Sequence, residues 1–156
     1  MGSARMGYHV LVFVHVLSAI VAVGYNATYA VWFARGGMQR EHLAFALRGI
    51  KFMDDFVANP AYFVLLLSGA ALVHLSGRPW NELWIELALA LWLVLIVAAY
   101  GAYTPALSNQ IRVLAAAGPD AAAYKAADAR QTVVGIALVV VALAVVGLMV
   151  FRPGGA

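Results

Sequence analysis

An all-α membrane four-helix bundle is the fold this 156-residue chain predicts, and three observations carry it. First, four stretches lack Asp, Glu, Lys and Arg: 29 residues between Arg5 and Arg35, 22 between Asp55 and Arg78, 25 between Glu86 and Arg112, and 21 between Arg130 and Arg152. Each is long enough for a helix to cross hydrocarbon roughly 30 Å thick, which takes about 20 residues. Second, a mean hydropathy of +0.89 and 65% hydrophobic residues do not fit a soluble domain of this size. Third, Gly and Pro punctuate the gaps, at Gly36-Gly37, Gly77-Arg78-Pro79 and Gly118-Pro119-Asp120, where such residues favour turns. The chain is therefore predicted to be one transmembrane domain over residues 1–156, with four spans and amphipathic extensions.

The first helix is predicted from about Tyr8 to Ala34, stopping at the glycine pair. A cleaved signal peptide is the rival for this run, but the apolar stretch continues through Tyr25, Tyr29, Trp32 and Phe33, past the roughly 7 to 15 residues of a signal core. The segment from Glu41 to Asp55 mixes Leu43, Phe45, Leu47, Ile50 and Phe52 with Arg48, Lys51, Asp54 and Asp55. Such a mixture suits an amphipathic stretch that lies at the interface or extends the second helix into water. The second helix proper covers about Phe56 to Ser76. Pro60 removes one backbone donor, which places a kink near Phe56 or marks the first turn of a new helix. The third helix starts near Trp80 and runs past Pro105 towards Leu114, until Gly118-Pro119-Asp120 ends it. Ala121 to Arg130 is helix-prone and leads into a nearly pure aliphatic fourth helix, closed by Arg152-Pro153.

Charge gives the expected orientation. The connections after helices 1 and 3 carry Arg35, Arg40, Arg48, Lys51, Arg112, Lys125 and Arg130, whereas the opposite side has Arg5, Arg78 and Arg152. By the positive-inside bias the two longer connections face the cytoplasm, and both termini lie outside. The net charge of +3 resides at helix ends rather than in a continuous patch, so the expected partner of these groups is the anionic surface of the lipid bilayer and no nucleic acid. Without cysteine, disulfides, thiolate metal sites, thiol nucleophiles and Cys-attached haem are excluded. A glycine-rich phosphate loop, a His-Glu-x-x-His motif and a serine nucleophile elbow are also missing from the sequence.

The candidate chemistry starts at His15, a titratable ring within the first span. At 100° per residue, Tyr8, Ser18, Ala19, Ala22, Asn26 and Tyr29 fall within about 60° of it. This small and polar stripe should face the bundle, where an unpaired ring nitrogen finds a partner. His15 then either hydrogen-bonds a carbonyl or tyrosine of another helix or serves as a ligand. His9, His15, His74, Glu82 and Glu86 share the outward half, with Met6 and Met149 near in depth. Imidazole, carboxylate and thioether can bind copper, and imidazole can hold haem iron. The candidate metal set is His9, His15, His74 and Glu86, and the candidate haem contacts are His15, Asn26, Tyr29 and His74. Arg48, Lys51, Asp55, Asn59 and Tyr62 share a face of the second helix, either as local ion pairs or as a polar latch. Glu86, Val97, Tyr100 and Thr104 lie near one face of the third. Trp80, Trp84, Tyr8 and Trp32 are expected as interfacial anchors, and Ser18, Ser68 and Ser76 as ordinary membrane-helix serines.

Four places carry a family resemblance: His15-Val-Leu-Ser-Ala-Ile-Val-Ala-Val-Gly24, the charged lead-in to Pro60, Leu67-Ser68-Gly69, and Leu148-Met149-Val150-Phe151-Arg152-Pro153. Through them the chain resembles a bacterial family of four-helix integral membrane proteins of unknown function, related to the membrane domain of copper-resistance protein D. In the same broad group are membrane protoporphyrinogen oxidases that bind haem b through a first-helix histidine. The resemblance implies a bacterial inner-membrane location, with haem b or alternatively copper as cofactor and His15 as first-choice ligand, serving electron transfer or oxidation. The chain departs from those oxidases in its histidine-to-glycine spacing and in lacking their charged residues of helix 3. Two other functions remain open: copper handling through His9, His15, His74 and methionines, and an accessory subunit packing through helix 4 in a membrane complex or homo-oligomer.

Overall fold

The computed structural model describes residues 2–38 and 40–154. Six α-helices make four membrane-length rods: α1 (Gly2–Met38), α2 (Leu43–Met53) running into α3 (Asn59–Ser76), α4 (Leu83–Ala98) running into α5 (Thr104–Ala117), and α6 (Ala122–Phe151). All four are long and apolar enough to cross a membrane, over Arg5–Gly36, Arg40–Ser76, Leu83–Ala117 and Ala122–Phe151. Since the rods alternate in direction, one end of the bundle carries Arg40 and Asp120 in its connections. The other carries the short 77–82 loop and the two ends of the chain.

The first helix does not stop at Gly36-Gly37 as the turn signal suggests. It runs to Met38, because Gly36 serves close packing: a Cβ there would stand 3.1 Å from Ala46 Cβ and 3.3 Å from Leu43 Cδ1, so its absence lets α2 approach α1. After one 3-10 turn, Arg40–His42, α2 buries Leu43, Ala46, Leu47 and Ile50. That i, i+3, i+4, i+7 stripe is the apolar face of an amphipathic helix, while Phe45 and Phe52 point outward.

The two middle rods each contain one π-helical turn, Asp54–Ala58 and Ala99–Tyr103. Each is closed by the amide of the residue before a proline: the Asn59 amide donates to Asp54 O and the Thr104 amide to Ala99 O, five residues back in each case. Proline has no N–H, and in an α-turn its ring presses on the carbonyl four residues earlier. The wider turn relieves that pressure and keeps each rod continuous; in the rod of Pro60 it stands where the sequence predicts a kink. Each such turn takes up one extra residue and so shifts the sequence register of the helix beyond it by one residue relative to a regular helix.

The short loop closes with Gly77 at φ +68, its amide bonded to His74 O, a left-handed helix end that glycine adopts without penalty. Trp80 lies in this loop and the next helix begins at Leu83, three residues later than predicted. Trp84 is not a lipid-facing anchor: it is buried beneath the Arg152 guanidinium, 5.5 Å from its ring centroid. Helix α1 packs on α2 and α3, α6 packs on α4 and α5, and α2 meets α5. The core has two parts. Tyr29, Leu43, Leu47, Ile50, Tyr103, Leu107 and Tyr124 form one at the Arg40/Asp120 end. Ala22, Ala58, Ala61, Tyr62, Leu95 and Ala142 form the other at mid-bundle, where small residues allow the close helix approach that membrane association relies on.

Candidate functional site

The two π-turns meet at a cavity of about 190 Å³ bordered by α1, α3, α4 and α6 and open to the outside of the bundle beside Val139 and Leu143. Asp54 and Asn59 enter from the ends of one π-turn and Tyr103 from the end of the other; α1 supplies Asn26, α3 supplies Tyr62, and Leu95, Leu138 and Leu143 make apolar wall. Asp54 is only 4% exposed. Its Oδ2 accepts one hydrogen bond, from Thr104 Oγ1 at 3.1 Å, which joins the two π-turns side chain to side chain. Its sequence neighbour Asp55 pairs with Lys51, and among the described residues no Lys, Arg or His forms a salt bridge with Asp54. Asn59, also 4% exposed, holds its Oδ1 without a hydrogen-bond partner. Asn26 Nδ2 donates to Ala22 O at 2.7 Å and to Tyr62 Oη at 2.8 Å. The Tyr29 and Tyr103 rings stack at 6.4 Å, with the Tyr29 hydroxyl buried and unpartnered.

His15 faces the bundle, as its stripe predicts, but at another level and with a partner the stripe does not reveal. Its Nδ1 lies 2.9 Å from Ser68 Oγ, and Ser68 gives its single proton to Val64 O. With the Ser68 proton assigned to Val64 O, Ser68 accepts, and the tautomer assigned to His15 carries its proton on Nδ1 and its lone pair on Nε2, with the Leu65 carbonyl also beside the ring. The ring lies on Gly69, where a Cβ would meet His15 Cε1 at 3.1 Å.

The sequence-derived candidates divide into three places. Asn26 and Tyr29 sit about 16 and 21 Å along α1 from His15 at 1.5 Å per residue, in and beside the cavity. His9, His74 and Glu86 are exposed towards the end that carries the chain termini, where the His9 ring meets Tyr8 edge-on at 6.1 Å. Among the described residues no three His, Asp or Glu side chains come together as a metal-holding group. Of the face Arg48, Lys51, Asp55, Asn59 and Tyr62, the Lys51–Asp55 pair forms, while Asn59 and Tyr62 turn into the cavity.

The family model DUF2269, described as a predicted integral membrane protein, matches residues 9–153. The chain belongs to that family. The match takes in all four rods of this DUF2269 protein, from His9 in the first to Pro153 just after the fourth. No curated protein and no solved structure matches it.

Composition and periodicity do not single out Asp54, Tyr103, Gln110 or Gln131, and they place Thr104 on a face with Glu86, Val97 and Tyr100 rather than opposite Asp54. On a regular helix Thr104 shares a face with Tyr100. The π-turn breaks that register, so Tyr100 faces outward and Thr104 reaches Asp54. The signal that could have found them is the pair of polar-Pro steps, Asn59-Pro60 and Thr104-Pro105, in consecutive apolar spans.

Proposed function

We propose that this DUF2269 protein binds a small cation of ammonium type in the cavity between its π-turns, with Asp54 as counter-ion. The observation that carries this reading is a carboxylate 4% exposed in a membrane-length rod, with one hydroxyl donor and no salt-bridge partner among the described residues. A carboxyl at such depth either holds a proton or meets something of opposite sign, and ionisable groups inside membrane bundles mark ion and substrate sites. Asn59 Oδ1 adds a second acceptor. The Tyr62 and Tyr103 rings offer the negative faces on which ammonium groups rest, and the leucine wall suits a ligand with an apolar part.

The test is thermal unfolding of the detergent-purified protein in methylammonium or tetramethylammonium chloride, against sodium chloride at equal ionic strength. Binding at a hundredfold excess over Kd stabilises the folded state by about 2.7 kcal/mol. The wild type is expected to gain stability and Asp54→Asn is not. An equal response in both proteins, or none in either, overturns the reading. The charge asymmetry of the connections further supports a bacterial inner-membrane topology in which the Arg40/Asp120 end faces the cytoplasm. Reporter fusions at residue 120 and at the C-terminus check it.

A second reading, haem or copper ligation by His15, is favoured by the tautomer. An imidazole that donates through Nδ1 and keeps the Nε2 lone pair is in the form that binds metals. The residues present fit one protein ligand of this kind, and the resemblance to haem-binding and copper-resistance membrane domains supports it. A Soret band or stoichiometric copper in the purified protein, abolished in His15→Ala, is the expected result under this reading; a colourless, copper-free protein overturns it.

A further inference from the structure

The seam between α5 and α6 differs from the other polar seam in the bundle. Between α1 and α3, His15 pairs with Ser68 and Asn26 with Tyr62. Between α5 and α6, Gln110 and Gln131 are 0% and 1% exposed, yet among the described residues Gln110 Oε1 and the Gln131 amide complete no hydrogen bond of normal geometry, the Gln131 amide standing beside the Tyr103 hydroxyl. Each such buried polar atom costs about 1–3 kcal/mol when left unpaired. Buried glutamines are kept where something polar reaches them, and water is the usual means.

The antiparallel register puts these atoms in a line. Tyr103 packs on Gly135, where a Cβ would stand 3.5 Å from Tyr103 Cε2, and Gln110 Nε2 donates to Asp128 Oδ1 at 2.8 Å and to Tyr124 Oη at 3.3 Å. Stepping evenly between those two contacts sets Gln131 opposite Leu107. Tyr103 at the cavity wall, then Gln131, then Gln110 with half-buried Asp128, succeed one another over about 10 Å of helix. The two glutamines stand one rung apart, about 4.5 Å along the axis. The unpartnered Tyr29 hydroxyl belongs to the same core cluster at the cavity end of this line.

We propose that the α5–α6 seam is a hydrated passage that admits water, protons and small cations to the Asp54 cavity from the Arg40/Asp120 end, by way of Gln110 and Gln131. It deepens the cation-binding reading above by assigning the side from which the site fills. The natural chain has no cysteine, so an introduced one is the sole target of a thiol reagent. In oriented vesicles, Gln131→Cys is expected to react with a membrane-impermeant trimethylammonium methanethiosulfonate at least tenfold faster than Ala88→Cys, which is equally enclosed at 3% exposure, and from the Arg40/Asp120 side alone. Reaction no faster than at Ala88→Cys, or reaction from the opposite side, overturns the proposal. Should the variants fail to fold, hydroxyl-radical footprinting of the wild type reads the same property. Tyr29 and Tyr103, at 5% and 4% exposure, are then expected to be oxidised well above Ile85, at 2%, after correction for intrinsic reactivity, and parity overturns the passage. Neither measurement uses a bound cation, so an accessible seam with no cation effect would sink the binding reading alone, and a cation effect with a dry seam would sink this one.

Discussion

Gly69 carries His15: the imidazole lies where any larger residue would put a Cβ, 3.1 Å from His15 Cε1. Gly69→Ala forces the ring or α3 to move, and overpacking of this kind costs about 1–3 kcal/mol. Gly24→Ala, a position with nothing within 4 Å, is expected to be neutral or slightly stabilising through helix propensity. Reversible unfolding in mixed micelles compares the two, and equal effects would show that the ring is free to yield. Ser68→Ala removes the hydroxyl that accepts the Nδ1 proton, leaves the Leu65 carbonyl beside the ring, and should cost about 0.6–2 kcal/mol, the measured scale for hydrogen bonds between membrane helices. The polar stripe of the first helix was legible in the sequence, since Asn26 and Tyr29 do turn inward with His15. Its partners were not, because Ser68 reaches His15 only through the crossing of α1 and α3, 53 residues apart. Asp54 was hidden beside Asp55 for a similar reason. Both are acids at the end of an amphipathic stretch, and only the packing of α5 makes one a cavity group and leaves the other paired with Lys51.

At the scale of elements, the spans were written plainly in charge-free length, whereas the π-turns were not, since periodicity assumes 100° for every residue. A single residue taken up in a wider turn changes which residues occupy each face of the whole helix beyond it. Phe56 lies within the first π-turn and is 67% exposed, so Phe56→Ala touches no core contact and should change stability by less than about 0.5 kcal/mol. Deleting Phe56 is a different change. It closes the turn to ordinary α geometry while α2 and α3 keep their faces, because the wider turn had taken up the extra residue, and it brings the Pro60 ring onto the carbonyl four residues earlier, which costs about 3 kcal/mol. The deletion is expected to lower the unfolding midpoint well below that of the substitution. If the deleted protein melts like the wild type, the π-turn is an incidental wrinkle rather than the device that aims Asp54 and Asn59.

For the whole molecule, the two ends are held by different physics. At the Arg40/Asp120 end, Leu47 and Leu107 are fully enclosed in the cluster where α2 and α5 tie the α1 half of the bundle to the α6 half. At the other end, α6 stops with Arg152 in the left-handed region at φ 44. Its amide bonds Leu148 O and its guanidinium covers Trp84, whose indole donates to Glu82, itself paired with Arg78. Such a latch of cation–π contact and partly exposed charges is worth about 0.5–1 kcal/mol. Removing a buried leucine side chain costs about 2–5 kcal/mol. Leu107→Ala is therefore expected to lower global stability several-fold more than Arg152→Ala. Hydrogen exchange should locate the two losses differently, with Arg152→Ala loosening the amides of residues 147–151 and Leu107→Ala raising exchange along both halves. A uniform rise in exchange across the bundle in Arg152→Ala would instead make the latch a global clamp, and the division of labour between the two ends would fall.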